Sequence, residues 1–187
     1  MLLKDIARFD YSLPVKSNNK ESLSRWLNVF GLLQNNEYEF TENLNSFDKD
    51  KALKTNYNCL LLKRISPTFV NVYDLDEDVC LGNNIIKINV LNDYDVYYVS
   101  LIIESNLSLL NNQANNGTRM SAINRESLGN IEIPDIPLSE QQKIGIFQKL
   151  SFQQCHLVKQ LNDKIELKTN IIKGLMFDTI GGNKNGK

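Results

Sequence analysis

Apolar residues recur with helical spacing along the last third of the chain. From Pro134 to Met176 they fall at Ile144, Phe147, Val158, Leu161, Ile165, Ile172 and Leu175, the a and d positions of one heptad register. Ser151, Gln154 and Lys168 interrupt that register, and Leu150, Leu157 and Ile171 widen the stripe by a flanking column. The opposite column, Lys149, His156, Asp163 and Asn170, is polar throughout. Ser139 and Gln142 have the S-x-x-Q form of a capping box, and Pro134 and Pro137 close whatever precedes them. The pattern predicts one long amphipathic helix over 138–178, ending near Gly181–Gly182, and a polar tail over 179–187. At 1.5 Å per residue such a helix is roughly 60 Å long. That outreaches the domain preceding it, so packing on its own domain is the weaker reading. Polar interruptions at a and d positions fit a coiled coil whose register is specified at some cost in stability.

The pattern upstream is mixed. Leu2, Leu3, Ile6 and Phe9 predict a short helix or turn, and Tyr11 to Lys20 a polar loop. Leu23, Trp26, Leu27, Phe30 and Leu33 follow helical spacing and predict a helix over 21–33. The lone Trp26 reads as core in preference to a base-stacking platform. Tyr38 and Phe40 alternate with Glu37 and Glu39 as on a half-buried strand, and 45–56 is a loop or short helix. Tyr57 to Arg64 and Phe69 to Tyr73 predict strands, joined by way of Pro67. An acidic turn follows, whose Asp74, Asp76, Glu77 and Asp78 lack the central glycine and closing glutamate of a calcium loop. Ile86, Ile88 and Val90 alternate with Lys87 and Asn89, a clear strand. Asn92 or Asp93 would cap a helix carrying Tyr94, Tyr97, Tyr98, Leu101 and Ile102 on one face. Leu107, Leu110 and Ala114 suggest another, stopped by Asn115-Asn116-Gly117. A helical turn around Asn124 to Leu128, stopped by Gly129, and a strand from Ile131 to Ile133 complete a mixed α/β (α+β) domain over 1–137. The long C-terminal, coiled-coil-forming helix follows it.

Composition narrows the function. With 42% hydrophobic and 23% charged residues the chain is ordinary globular material. Its net charge of −1 does not favour nucleic acid unless basic residues gather on one face or partners supply the electrostatics. Cys59, Cys80 and Cys155 form no C-x-x-C pair and read as buried or half-buried thiols in a reducing cytoplasm. One histidine, His156, leaves no zinc set. Lys4, Asp5, Arg8 and Asp10 break up any signal-like start, and no apolar run approaches a membrane span. There is no G-x-G-x-x-G, Walker loop or G-x-S-x-G, and no Asn–Pro dipeptide, so nothing supports catalysis by this chain. The candidates for contacting DNA are Lys49, Lys51 and Lys54, partly cancelled by Asp48 and Asp50, then Lys63 and Arg64. Asn115, Asn116, Thr118 and Arg119 join them, offering amides and a guanidinium beside Gly117. Each has a plainer reading: a solvated charge run for the lysines, a helix stop for Asn-Asn-Gly.

Three runs carry a family resemblance. Asn124-Arg-Glu-Ser-Leu-Gly-Asn-Ile-Glu-Ile-Pro is followed by Ile136-Pro-Leu-Ser-Glu-Gln-Gln-Lys-Ile and by a helix running into Ile172-Lys-Gly-Leu-Met. Together they resemble the end of a target-recognition domain and the spacer helix after it in a type I restriction–modification specificity subunit. The likeness covers about 81–176 and, more loosely, the chain from Leu2, and Gly117-Thr118 also suits that family's loop. It implies a chain that reads double-stranded DNA and directs methyltransferase (M) and restriction (R) subunits to a bipartite target. It implies no cofactor here, since S-adenosylmethionine and ATP would be used by those partners. Full-length members carry two recognition domains and two spacer helices. This chain has one of each, as a natural half-subunit or a piece of a longer protein. It is expected to pair as a homodimer, or with another half-subunit, through the apolar stripe from Ile144 to Leu175. Antiparallel pairing of two copies would give an interrupted palindrome, spanning somewhat less than the about 17 base pairs that match the helix length. The competing reading is a structural or regulatory coiled-coil relative that pairs with partners without reading DNA.

Overall fold

The computed structural model describes residues 1–12, 17–18, 24–43, 46–47, 52–114 and 122–181. Two compact units make up the chain, Met1–Lys149 and Leu150–Lys187.

The first unit is built on an antiparallel four-stranded sheet in the order β1 (Ala7–Tyr11), β9 (Ile85–Val90), β6 (Cys59–Lys63), β7 (Val70–Tyr73). The run Cys59-Leu60-Leu61-Leu62 is wholly buried because both faces of the sheet are covered. Alternation sends Cys59 and Leu61 to one side, where they join Leu27, Leu32, Tyr73, Val79, Leu81 and Ile85 in one core cluster. That cluster lies between the main sheet and a three-stranded sheet of β4 (Tyr38–Asn43), β3 (Ser24–Leu32) and β8 (Cys80–Leu81). Leu60, Leu62, Ile86 and Ile88 point to the other side, against which α2 (Val96–Ser105) packs through β6 and β7. Each fully buried leucine contributes about 1.5–3 kcal/mol, so β6 supports both cores. Ser17–Asn18 (β2) and Ser46–Phe47 (β5) form a separate short pair.

Of the helix expected over 21–33, residues 21–23 lie outside the described residues and the rest is not helical: Ser24–Leu32 is a strand, antiparallel to β4 and parallel to β8. A register irregularity between Leu27 and Leu32 breaks strict alternation, so Trp26, Leu27, Gly31 and Leu32 are all buried and Phe30 is exposed. That spacing imitates a helical stripe. Trp26 is core, at 3% exposure.

The edge strand β7 is covered by side chains. Asn36, in a 3₁₀ turn over Gln34–Asn36, accepts from the Val72 N–H at 2.8 Å, and the Tyr38 hydroxyl donates to the Val72 carbonyl at 2.9 Å. The Asn71 amide donates to the Leu33 carbonyl at 2.7 Å. Asn35 and Asn36 both hold φ of 59°, a left-handed conformation that asparagine tolerates.

The N-terminus is the expected short helix, α1 (Leu3–Ile6), and it leads into β1, where Phe9 lies. Leu2 bridges Glu132, the Leu3 N–H donates to the Ile131 carbonyl at 2.8 Å, and the Ile133 N–H donates to the Met1 carbonyl at 2.8 Å. The expected strand at Ile131–Ile133 is thus one isolated bridge. Helices α3 (Leu107–Ala114) and α4 (Arg125–Gly129) follow the sequence pattern, and the Asn124 side chain caps α4 through the Ser127 N–H at 2.7 Å.

Two caps differ from expectation. Helix α2 is capped by Asp95, not Asn92 or Asp93, its carboxylate accepting from the Tyr98 N–H at 2.9 Å. Its buried set is Val96, Tyr97, Tyr98, Val99, Ser100 and Ile103, whereas Tyr94, Leu101 and Ile102 are only half-buried. Helix α5 spans Leu138–Gly181, 44 residues, so Ser139 lies inside it and is not its cap.

Residues Gln141, Gly145 and Lys149, spaced by four, lie on one face of α5 and tie its first turns to the compact unit. Gln141 is 2% exposed. Its oxygen accepts from the Asp95 N–H at 3.1 Å, and its amide donates to the Ile136 carbonyl at 2.9 Å. A Cβ on Gly145 would stand 2.0 Å from the Asp95 carboxylate. Lys149 pairs with Asp74 at 3.4 Å and lies 5.3 Å from the Tyr97 ring, and the Tyr97 hydroxyl donates to Asp74 at 2.7 Å. Burial first, then this bond to the Asp74 carboxylate, pushes the Tyr97 phenol well above its ordinary value. Over Leu150–Met176, described by itself, every side chain but the half-buried Phe152 is exposed.

Gly145→Ala should therefore fail to stabilise. The helix-propensity gain of about 1 kcal/mol is outweighed by overpacking of about 1–3 kcal/mol, since the carboxylate can retreat only by releasing its cap. Gly174→Ala, with nothing within 4 Å of its Cβ, should increase helicity instead. Thermal melts and circular dichroism of the two variants check this contrast, and equal behaviour would show that Asp95 is not fixed.

Cys59 and Cys80 are buried but Cys155 is exposed, which corrects the expectation for that thiol. Burial pushes the Cys59 thiol up. An aromatic disulfide reagent should label Cys155 at once in the native chain and the other two only after unfolding. Immediate labelling of a second thiol would contradict the core.

Candidate nucleic-acid interface

Of the residues expected to contact DNA, Lys49, Lys51, Asn115, Asn116, Thr118 and Arg119 lie outside the described residues. Lys54, Lys63 and Arg64 are described, and the main sheet divides them.

Lys54 is exposed and bridges Cys80 at the edge of the smaller sheet. Its carbonyl accepts from the Lys87 ammonium at 2.9 Å, which also reaches the Asn56 side-chain oxygen at 3.1 Å. Lys87 stands opposite Leu61, and Lys63 opposite Ile85, so alternation directs both lysines to the side of the smaller sheet. Lys63 lies over Phe69, 4.9 Å from the ring centroid.

Arg64, the residue after β6, lies on the other side. Its backbone is fixed at both polar atoms: the N–H donates to the Asn84 carbonyl at 2.8 Å, and the carbonyl accepts from the Ile123 N–H at 2.9 Å. The exposed guanidinium lies 5.8 Å from the Tyr11 ring centroid. Arg125, at the start of α4, lies at the same distance from that ring and donates to the Phe9 carbonyl. The Tyr11 hydroxyl is buried and has no hydrogen-bond partner among the described residues. Burial raises its pKa, and Arg125 and then Arg64 pull it back down. Beside this cluster an open groove of about 690 Å³ is lined by Lys4, Arg8 and Arg125, with Glu126 as its acidic member. Arg8 is partly neutralised by Asp10 at 3.3 Å, and the Lys4 ammonium donates to the Asn130 side chain at 3.1 Å.

Sequence reasoning missed Lys87, Arg125 and Tyr11. Lys87 was visible as the polar partner in the alternation of β9, but nothing local links it to Lys54. Arg125 lies 61 positions after Arg64, and only the folded chain brings both to Tyr11. The residues of the apolar stripe, Ile144, Phe147, Val158, Leu161, Ile165, Ile172 and Leu175, all lie on α5. Ile144 is half-buried and the rest are exposed.

Among the described residues no group of three or more His, Cys, Asp or Glu side chains is placed to hold a metal ion, and no helix is long and apolar enough to cross a membrane.

The family described as type I restriction modification DNA specificity domain matches residues 4–167. No curated protein sequence matches. Solved structures share the fold, among them the following three. A chain from a structure addressing complex assembly and conformational transition of the type I R-M system has a TM-score of 0.65 at 15% identity, over 95% of this chain and 44% of that one. The HsdS subunit from Thermoanaerobacter tengcongensis gives 0.62 at 15% identity, over 95% and 43%. The type I restriction–modification system S subunit from M. genitalium gives 0.58 at 17% identity, over 98% and 46%. The chain thus spans less than half the length of each.

Proposed function

The chain belongs to the type I restriction–modification DNA specificity domain family, and on that premise we propose that it recognises DNA sequence for a type I restriction–modification complex. In this reading it directs methyltransferase and restriction subunits to a bipartite target. It contributes recognition and no chemistry of its own, and S-adenosylmethionine and ATP are used by those partners. The observation that carries the reading is the family match over residues 4–167, which takes in the compact unit and much of α5. Recognition is assigned to 1–137, association to the helix over 138–178, and no role to the tail over 179–187.

The helix supports the association half. Val158, Leu161, Ile165, Ile172 and Leu175 are 48–62% exposed on one heptad stripe. A bare stripe of this kind is a liability in water and a seam for a partner helix. The occupant proposed is a second copy of this chain or another specificity half-subunit.

Methylation mapping in cells with and without the gene tests the recognition half: loss of one modified motif supports it, and an unchanged methylome sinks it. The motif also decides the pairing. Two copies related by a two-fold axis read the same bases on opposite strands, so a homodimer requires an interrupted palindrome. An asymmetric motif means that a different recognition domain completes the pair. Replacing both Leu161 and Ile165 with Asp should abolish the assembly, as measured by light scattering. An unchanged mass would remove the stripe from the interface.

A further inference from the structure

The cluster around Tyr11 is built from three distant segments: the end of β1, the residue after β6 and the start of α4. Two guanidiniums face one ring, and neither is paired with a carboxylate among the described residues. Their like charges are uncompensated where the backbone holds them. Arg64 is pinned through Asn84 and Ile123, and Arg125 through the Phe9 carbonyl. The buried Tyr11 hydroxyl is an orphan, and leaving such a group unsatisfied is costly. The charged members can only donate, because guanidinium has no acceptor. Guanine's major-groove edge also offers two acceptors, but a phosphodiester adds a negative charge to its acceptor oxygens, the match for two guanidiniums with no carboxylate partner. The basic lining of the neighbouring groove, Lys4 and Arg8, continues the same polarity.

We propose that Arg64 and Arg125, both beside the Tyr11 ring, contact the phosphate backbone of the DNA duplex. The site rests on the DNA-reading proposal above and deepens it: the clamp positions the duplex and carries no sequence information. It accounts for phosphate binding by a chain of net charge −1, because the relevant charge is local.

The test is fluorescence anisotropy of the full chain with labelled duplexes of several sequences, across a salt series. Arg64→Gln removes a guanidinium whose backbone bonds remain, and Tyr11→Phe removes only the orphan hydroxyl. Arg64→Gln should weaken every duplex alike and reduce the slope of log affinity against log salt by about one. Arg64→Lys should keep that slope, since the charge remains. Tyr11→Phe, which removes a hydroxyl buried away from solvent, should leave both affinity and slope unchanged. Circular dichroism melts confirm that each variant is folded. If the wild type binds duplex and Arg64→Gln leaves its slope unchanged, the clamp is wrong and DNA reading stands. A loss confined to some sequences would make Arg64 a base contact and equally overturn it. If the wild-type chain binds no duplex at any salt concentration, the reading itself fails and the clamp falls with it.

Discussion

Asp95 serves two helices at once. Its carboxylate closes the start of α2 through the Tyr98 N–H, its own N–H is taken up by Gln141 of α5, and Gly145 leaves room for it. The first turns of α5 therefore belong to the compact unit. The contact is polar, and its strength lies in geometry more than in transfer energy. Gln141 satisfies its own oxygen and amide while covering two backbone groups, and shifting α5 by one residue would carry it away from both. Four residues along, Gly145 admits the carboxylate, and four further on Lys149 closes the seam on Asp74 and Tyr97. One face of the helix is thus specified by three residues that share no hydrophobicity.

The main sheet imposes a second constraint. Because β6 is buried on both sides, its neighbours present apolar residues on the α2 side, Ile86, Ile88, Val70 and Val72, whereas on the other side Leu61 stands between Lys87 and Asn71. Basic groups flank the sheet on both sides: Lys63 and Lys87 on one, Arg64 beside Tyr11 on the other. The guanidiniums of Arg64 and Arg125 both lie by one ring outside the two cores, so positive charge is local in a chain whose net charge is −1.

Strong periodic patterns were legible in the sequence. The strands at Cys59–Lys63, Val70–Tyr73 and Ile85–Val90 follow from β-branched and aliphatic runs, and α5 from its heptads. Strand β3 was not legible, because its irregular register buries Trp26, Leu27, Gly31 and Leu32 with a spacing that copies a helix. The Asp95 cap was hidden among three candidate capping residues within four positions, and only the packing of Gln141 selects it. Arg64 was legible as a charge, but not its companionship with Arg125 and Tyr11, which depends on contacts over more than fifty residues. The polar seam on α5 escaped notice for a simpler reason: hydrophobic periodicity is silent about glutamine and glycine.

The side chains along β7 have a consequence for the unassembled molecule. A sheet edge with free N–H and C=O groups templates further strands, and it is the usual route from a folded monomer to fibrous aggregates. Here both outward groups of Val72 are engaged by Asn36 and Tyr38, while Asn71 holds the capping segment in place through Leu33. A visiting strand would have to strip away these bonds before it could pair. Edge-to-edge growth through that side of the sheet is therefore opposed at Val72 before any other chain arrives.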